Sequence, residues 1–249
     1  SVGLTEAGER FLARAGPAFE ELVAAGQAAR DLGGRPSGLL RLAVPRAAVP
    51  VILQPMIASF CEAYPDIELE IAASEELIDI AALGFDAGIR LGQFIAADMT
   101  VVRLTPPFRF VVVGSPGYLA RAGKPERPED LRGHACLRQR RSNGALALWQ
   151  FVDGNRPLEV SVAGPLIAHD FPTLLGAALE GVGLAQVPEP VAKAAVDDGR
   201  LIHLLAPFAP MTPGIFLYHS GRREVLPKLR AFIDHFKGVP GLTENLRIA

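Results

Sequence analysis

The sequence predicts an α/β protein of two subdomains with a cleft between them, preceded by one long helix. Three observations carry that prediction. Strand and helix patterns alternate along the chain in two successive runs, which calls for sheets covered by helices. The first run breaks off after Arg90 and a second, similar run opens at Phe108. The last helical stretch, "EVLPKLRAFIDHF", carries Leu226, Leu229, Phe232, Ile233 and Phe236 on one face and needs a sheet to lie on. With 249 residues, 49% of them hydrophobic and 21% charged, the chain can fill one large core or two modest ones.

The opening helix runs from Thr5 to about Asp31. Thr5 is a suitable N-cap, and Glu6 and Glu9 favour the positive end of the helix dipole. Its apolar seam, through Leu12, Ala15, Phe19, Leu22, Gly26 and Ala29, is narrow and calls for a partner helix; Leu12, Phe19 and Leu22 are the candidate dimerisation residues. Pro17 bends it and "GGRPSG" (Gly33 to Gly38) ends it in a linker. The first alternating unit then reads as the strand "LLRLAV", a helix from Pro50 to Tyr64, the strand "IELEIA", a short helix "EELIDIAAL" closed by Gly84, and the strand "FDAGIR", all in a parallel sheet. The second unit takes in "FRFVVVGS", "ACLRQR", "LEVSVAG", a helix from Pro172 to about Glu180, the strand "GLAQVP" and a helix over Pro190 to Asp197. "GIFLYHS" leads back, and the terminal helix packs on the first unit, so two strands cross between the units. The cleft between them is the expected ligand site.

Composition excludes several classes. No run of about 18 apolar residues is present to span a bilayer, so no membrane partner is expected and the chain reads as cytoplasmic. Cys61 and Cys136 lie far apart without metal-ligand spacing, and no metal or cofactor is expected. The formal net charge of −2 argues against a nucleic-acid surface on this stretch itself.

Several segments, in their order and spacing, carry a family likeness: "LTEAGERFL", "GLLRLAVP", "LQPMIASFCEAYPDIELEI", "GFDAGIRLG", "VVVGSPGYLARAGKPERPEDLRGHACL" and "AALEGVGLAQVPE". The chain resembles the LysR-type transcriptional regulators over essentially its whole length. The resemblance implies two Rossmann-like subdomains of the periplasmic-binding-protein type, joined by two crossover strands and preceded by a long linker helix. It implies that residues 1–35 are the end of a DNA-binding wing plus the dimerisation helix. Residues 36–108 and 216–238 would then form subdomain I, residues 109–215 subdomain II, and residues 239–249 a tail. The rest of the winged helix-turn-helix would lie outside this chain. The implied partners are a small-molecule effector, promoter DNA through that N-terminal domain, and further copies of the chain in a dimer or tetramer.

The candidate effector residues follow from position. Pro45, Arg46, Ala47 and Ala48 sit at the carboxyl end of the first strand and just before a helix, where free amide groups favour an anion. Relatives often carry Ser or Thr in this loop; Ala47 and Ala48 donate no side-chain hydrogen bond, leaving the backbone to recognise the ligand. Ser74 is placed as the cap of "EELIDIAAL" at the same cleft. His169, Asp170 and Phe171 open a helix in the second unit, with Asp170 as its cap, and Arg90, Arg138 and Pro188 end strands. Three helix starts converging on one cleft predict a compact organic anion, a carboxylate. "RQRR" (Arg138 to Arg141) otherwise reads as a solvated turn, and Trp149 as core. Two alternatives stand beside the regulator: a solute-binding protein of the periplasmic type, and an enzyme using Cys136 with His134 or His169.

The narrow helical seam generates one prediction. Phe19→Glu should lower the oligomeric state measured by light scattering; an unchanged mass would show that the seam packs within its own chain.

Overall fold

The computed structural model describes residues 5–8, 10–11, 14–16, 35–76, 78–220 and 225–239. Its N-terminal piece is helical, and the Thr5 hydroxyl caps it by accepting from the Gly8 amide at 3.2 Å. Leu12, Pro17, Phe19, Leu22 and the Gly33–Gly34 start of the linker lie outside the described residues.

β1 (Gly38–Val44) is an inner, apolar strand of the first layer, flanked in parallel by β2 (Ile67–Ala73) and β3 (Ala87–Leu91). The sheet is completed by β13 (Ile215–Ser220) and then β4 (Met99–Arg103), with β13 antiparallel to both its neighbours. The all-parallel expectation is thereby corrected. β13 enters after the chain has travelled through the second unit, so it meets the sheet from the opposite direction.

A π-turn over Val49–Leu53 leads into α1 (Gln54–Ala63), and α5 (Pro227–Gly238) packs beside it. Leu42, Ile52, Phe60, Ile89, Phe232 and Phe236 form the core beneath them. One mostly buried ion pair ties α5 to β1. Lys228 Nζ lies 2.8 Å from Asp86, whose other oxygen accepts from the Arg41 amide at 2.8 Å.

The expected helix over "EELIDIAAL" is not formed; its described residues run through turns. Asp79 supplies the reason. Its carboxylate accepts from the amides of Ala81 and Ala82, starting a turn where a helix would have continued. Arg41 then holds the carbonyls of Leu83 and Gly84 from outside.

The second layer has the order β11 (Ile202–Leu204), β5 (Phe108–Gly114), β10 (Leu184–Pro188), β6 (Cys136–Gln139) and β9 (Ile167–Ala168), with β12 (Met211–Thr212) also on β5. It too is mixed: β10, β6 and β9 run parallel, and β5 opposes them. α2 (Pro116–Ala122) covers one face. α3 (Phe171–Leu179) and α4 (Glu189–Asp197) cover the other. The period of two in β5 shows the division, Val111 and Val113 pointing to α3 and α4 while Val112 points to α2. A hairpin of β7 (Trp149–Asp153) and β8 (Arg156–Val160) packs its Trp149 and Phe151 on the α2 side.

The layers are joined by residues 104–107 and 213–214. The amides of Leu104 and Thr105 both donate to the Ile215 carbonyl, at 2.8 and 3.2 Å, and the Ile215 amide donates to the Thr105 hydroxyl at 2.9 Å. Gly214 has φ +100°, and a Cβ there would stand 2.8 Å from two carbonyl oxygens, so the crossing requires glycine.

The first core's aromatic packing is directly testable. Phe60 is fully buried with the Phe232 ring edge-on at 5.3 Å. Phe60→Ala should cost about 3–5 kcal/mol in urea unfolding.

Candidate functional site

A cavity of about 320 Å³ lies where the two layers face each other. Its floor is the crossing itself, Phe108 and Ile215. Its lower wall is the loop after β1 and its upper wall the start of α3 together with β7 and β10. The surfaces are mainly apolar: Phe110 and Phe171 meet at 5.7 Å between ring centres, and Trp149 lies beside them. Gln150 and Gln186 exchange two hydrogen bonds, 3.1 Å and 2.8 Å, fixing the hairpin on β10.

Of the residues expected at the site, Pro45, Ala47, Ala48, Arg90, His169, Phe171 and Pro188 line this cavity. Four do not line it. Arg46 turns its side chain outward and contributes only its amide. Ser74 caps the amide of Glu76 at 3.1 Å, a local turn in place of the expected helix cap. Asp170 caps α3 through the Thr173 amide at 2.8 Å. Arg138 is directed to the Gly164 carbonyl at 3.1 Å, because its neighbours Leu137 and Gln139 in β6 face the cavity and alternation turns Arg138 the other way.

The expected convergence of three helix starts is reduced to two, since nothing helical follows Ser74 among the described residues. What stands there is a carboxylate. Neither Ala48 nor its neighbour can cap the helical segment after β1, and no side chain of its own loop does so. Glu75 Oε1 accepts from the Arg46 amide, two residues ahead of the N-cap Ala48, at 3.0 Å. The register explains the placement: β1 and β2 pair Val44 with Ala73, so two residues on, Glu75 arrives beside Arg46. Burial pushes the Glu75 pKa up, and the Asp170 charge acts in the same direction, against the pull of the Arg46 amide and of the Arg46 and Arg90 charges. Arg90 is only 8% exposed. Its guanidinium donates to the Glu76 carbonyl, and among the described residues no carboxylate comes within ion-pair distance of it.

Sequence reasoning missed Glu75, Arg140 and Arg141. The two arginines, expected in a solvated turn, line the cavity, because the turn folds back as Arg140 bridges to Leu146. Trp149 is both core and cavity wall. No local signal marked Glu75, whose place follows from the register of β1 and β2.

The cysteine reading finds no support in the geometry. Burial pushes the Cys136 thiol up to about 12, its hydrogen goes to the Leu131 carbonyl at 3.7 Å, and His134 is engaged by the Tyr118 hydroxyl at 3.2 Å. Among the described residues no cluster of three metal-ligating side chains forms, and no helix is long and apolar enough to cross a membrane.

Residues 33–240 match the LysR substrate binding domain. The chain belongs to that family. It is 36% identical over 237 residues to the HTH-type transcriptional regulator YcaN of Escherichia coli K12, covering 95% of this chain and 78% of the relative. The HTH-type transcriptional regulator PgrR of the same organism is 32% identical, with 95% and 80% covered. Among solved structures, that of CrgA, a LysR-type transcriptional regulator from Neisseria meningitidis, superimposes with a TM-score of 0.74 at 28% identity, covering 94% of this chain and 79% of the other. The two crossed subdomains are therefore those of a LysR regulatory domain.

Glu75 generates a prediction about pH. Because its folded pKa is raised, there is a window of pH above 4.5 in which the folded protein still holds a proton that the unfolded chain has released. Its ionisation therefore opposes folding, increasingly as pH rises from the ordinary value of 4.5 through the folded one. Glu75→Gln, which keeps an acceptor for the Arg46 amide, should melt higher than the wild type at neutral pH. The gain should close below pH 4.5. Thermal unfolding across pH measures it, at about 2–4 °C per kcal/mol for a chain of this size.

Proposed function

We propose that this chain is the effector-sensing and oligomerising part of a LysR-type transcriptional regulator and that it binds a small organic acid in the cleft. One observation carries the reading: Arg90 is a buried guanidinium on the cavity wall with a carbonyl but, among the described residues, no carboxylate for a partner. A buried cation in that state is stabilised by an incoming anion, and a ligand carboxylate is the natural complement of a guanidinium. Pro45, Ala47, Ala48, His169, Phe171 and Pro188 supply the surrounding wall, and the aromatic side favours a ring or branched aliphatic body over a sugar. The linker helix joins copies, and promoter DNA is read in the cytoplasm by a domain outside this chain.

The protein carries its own reporter, since Trp149 is its single tryptophan and lines the cavity. Aromatic and aliphatic monocarboxylates titrated into it should change the Trp149 fluorescence and release or absorb heat in calorimetry. Arg90→Gln should weaken that binding about 10- to 100-fold. Binding confined to neutral or cationic compounds, or indifferent to Arg90→Gln, would overturn the acid reading.

A further inference from the structure

We infer that the effector is an apolar α-amino acid, with Glu75 receiving its ammonium group while Arg90 receives its carboxylate. The inference rests on the effector reading above and narrows it to one chemical class.

Glu75 and Arg90 both line the cavity from the first layer and feel one another's charge, yet they form no ion pair. Each is therefore left with unused capacity facing the same space. Glu75 spends one oxygen on the Arg46 amide, and Oε2 receives no hydrogen bond from the described residues. Arg90 is held by one carbonyl. A half-buried anion and a buried cation on one cavity wall, each short of a partner among the described residues, complement a ligand whose cationic and anionic groups stand on one carbon. An α-amino acid is such a ligand, since a single carbon separates its two charges.

A plain carboxylate fits less well. Arg90, Arg140 and Arg141 on the cavity wall attract it, but an ionised Glu75 on the same wall as Arg90 repels it, and Asp170 on the facing layer adds a second negative charge close enough for Glu75 to feel. An ammonium group satisfies Glu75 and cancels that repulsion. The rest of the cavity is suited to an apolar side chain: Phe110, Phe171, Trp149 and Val191 line it.

The test compares L-phenylalanine and L-leucine with their deaminated counterparts, 3-phenylpropionate and 4-methylpentanoate, by calorimetry and Trp149 fluorescence on the whole chain. The wild type should bind each amino acid about tenfold or more tighter than its deaminated partner. Glu75→Gln should erase that gap, and Arg90→Gln should weaken all four, with circular dichroism confirming that both variants fold. Equal or tighter binding of the deaminated acids would overturn the inference and leave the acid reading standing. A gap that survives Glu75→Gln would overturn the assignment of the ammonium group. Binding by none of the four overturns the inference alone, because the wider acid screen and its Arg90→Gln arm decide the reading beneath it.

Discussion

The arrangement of this protein depends on a short seam where its two crossing segments are bonded to each other. Leu104 and Thr105 share the Ile215 carbonyl, the Thr105 hydroxyl accepts from the Ile215 amide, and Gly214 supplies the backbone turn that lets the segments touch. Each such bond between buried groups contributes about 1 kcal/mol net, but leaving one unmade costs more, so the seam holds or fails as a unit. It makes the two layers neighbours along one line instead of beads on two strings. Pro106, Pro107 and Pro213 flank it, and none can donate a further backbone hydrogen bond across the junction. Rotation of one layer against the other has few places to occur except at these residues.

The seam is also the floor of the cavity, and the cavity's chemistry follows from what each layer brings to it. The first layer supplies charge. The loop after β1 gives its Arg46 amide to Glu75 from the neighbouring strand end, and that half-buried carboxylate lines the same cavity as the buried Arg90. The second layer supplies bulk, with Phe110, Phe171 and Trp149 held by the α3 packing and by the amide exchange of Gln150 with Gln186. The aromatic surface thus comes from the second layer, while both layers bring charge, Glu75 and Arg90 from the first and Arg140 and Arg141 from the second.

Much of this was legible in the sequence because it rests on periodicity. The apolar run "LLRLAV", the face of Phe232, Ile233 and Phe236, and the reopening of the pattern at Phe108 each report burial, which is why two layers and a return of the chain could be read directly. Strand direction was not legible, because the apolar pattern of β13 is the same whichever way it runs. The false helix at "EELIDIAAL" had good local spacing. It was overridden by Asp79, whose side chain competes for backbone amides, and by Arg41, which collects the carbonyls from a distant strand. Seven proposed site residues fall on the cavity because strand ends and helix starts are set by the fold. Glu75, Arg140 and Arg141 escaped because their placement depends on strand register and on how one turn folds back.

On the effector reading, this division between the layers bears on signalling as well as on binding. A ligand shifts the balance between two arrangements only by the difference in its affinity for them. A molecule touching Arg90 and Glu75 alone would bind the first layer equally well whatever the second layer did. Discrimination requires contacts on both sides of the seam, and here the second side offers the rings of Phe110, Phe171 and Trp149 together with Arg140 and Arg141. The headgroup then sets whether a molecule is accepted, while its side chain, reaching Phe110 and Phe171, sets how strongly the layers are drawn together. Two ligands with the same headgroup and different bulk would bind the same residues of the first layer and yet differ in the response they produce.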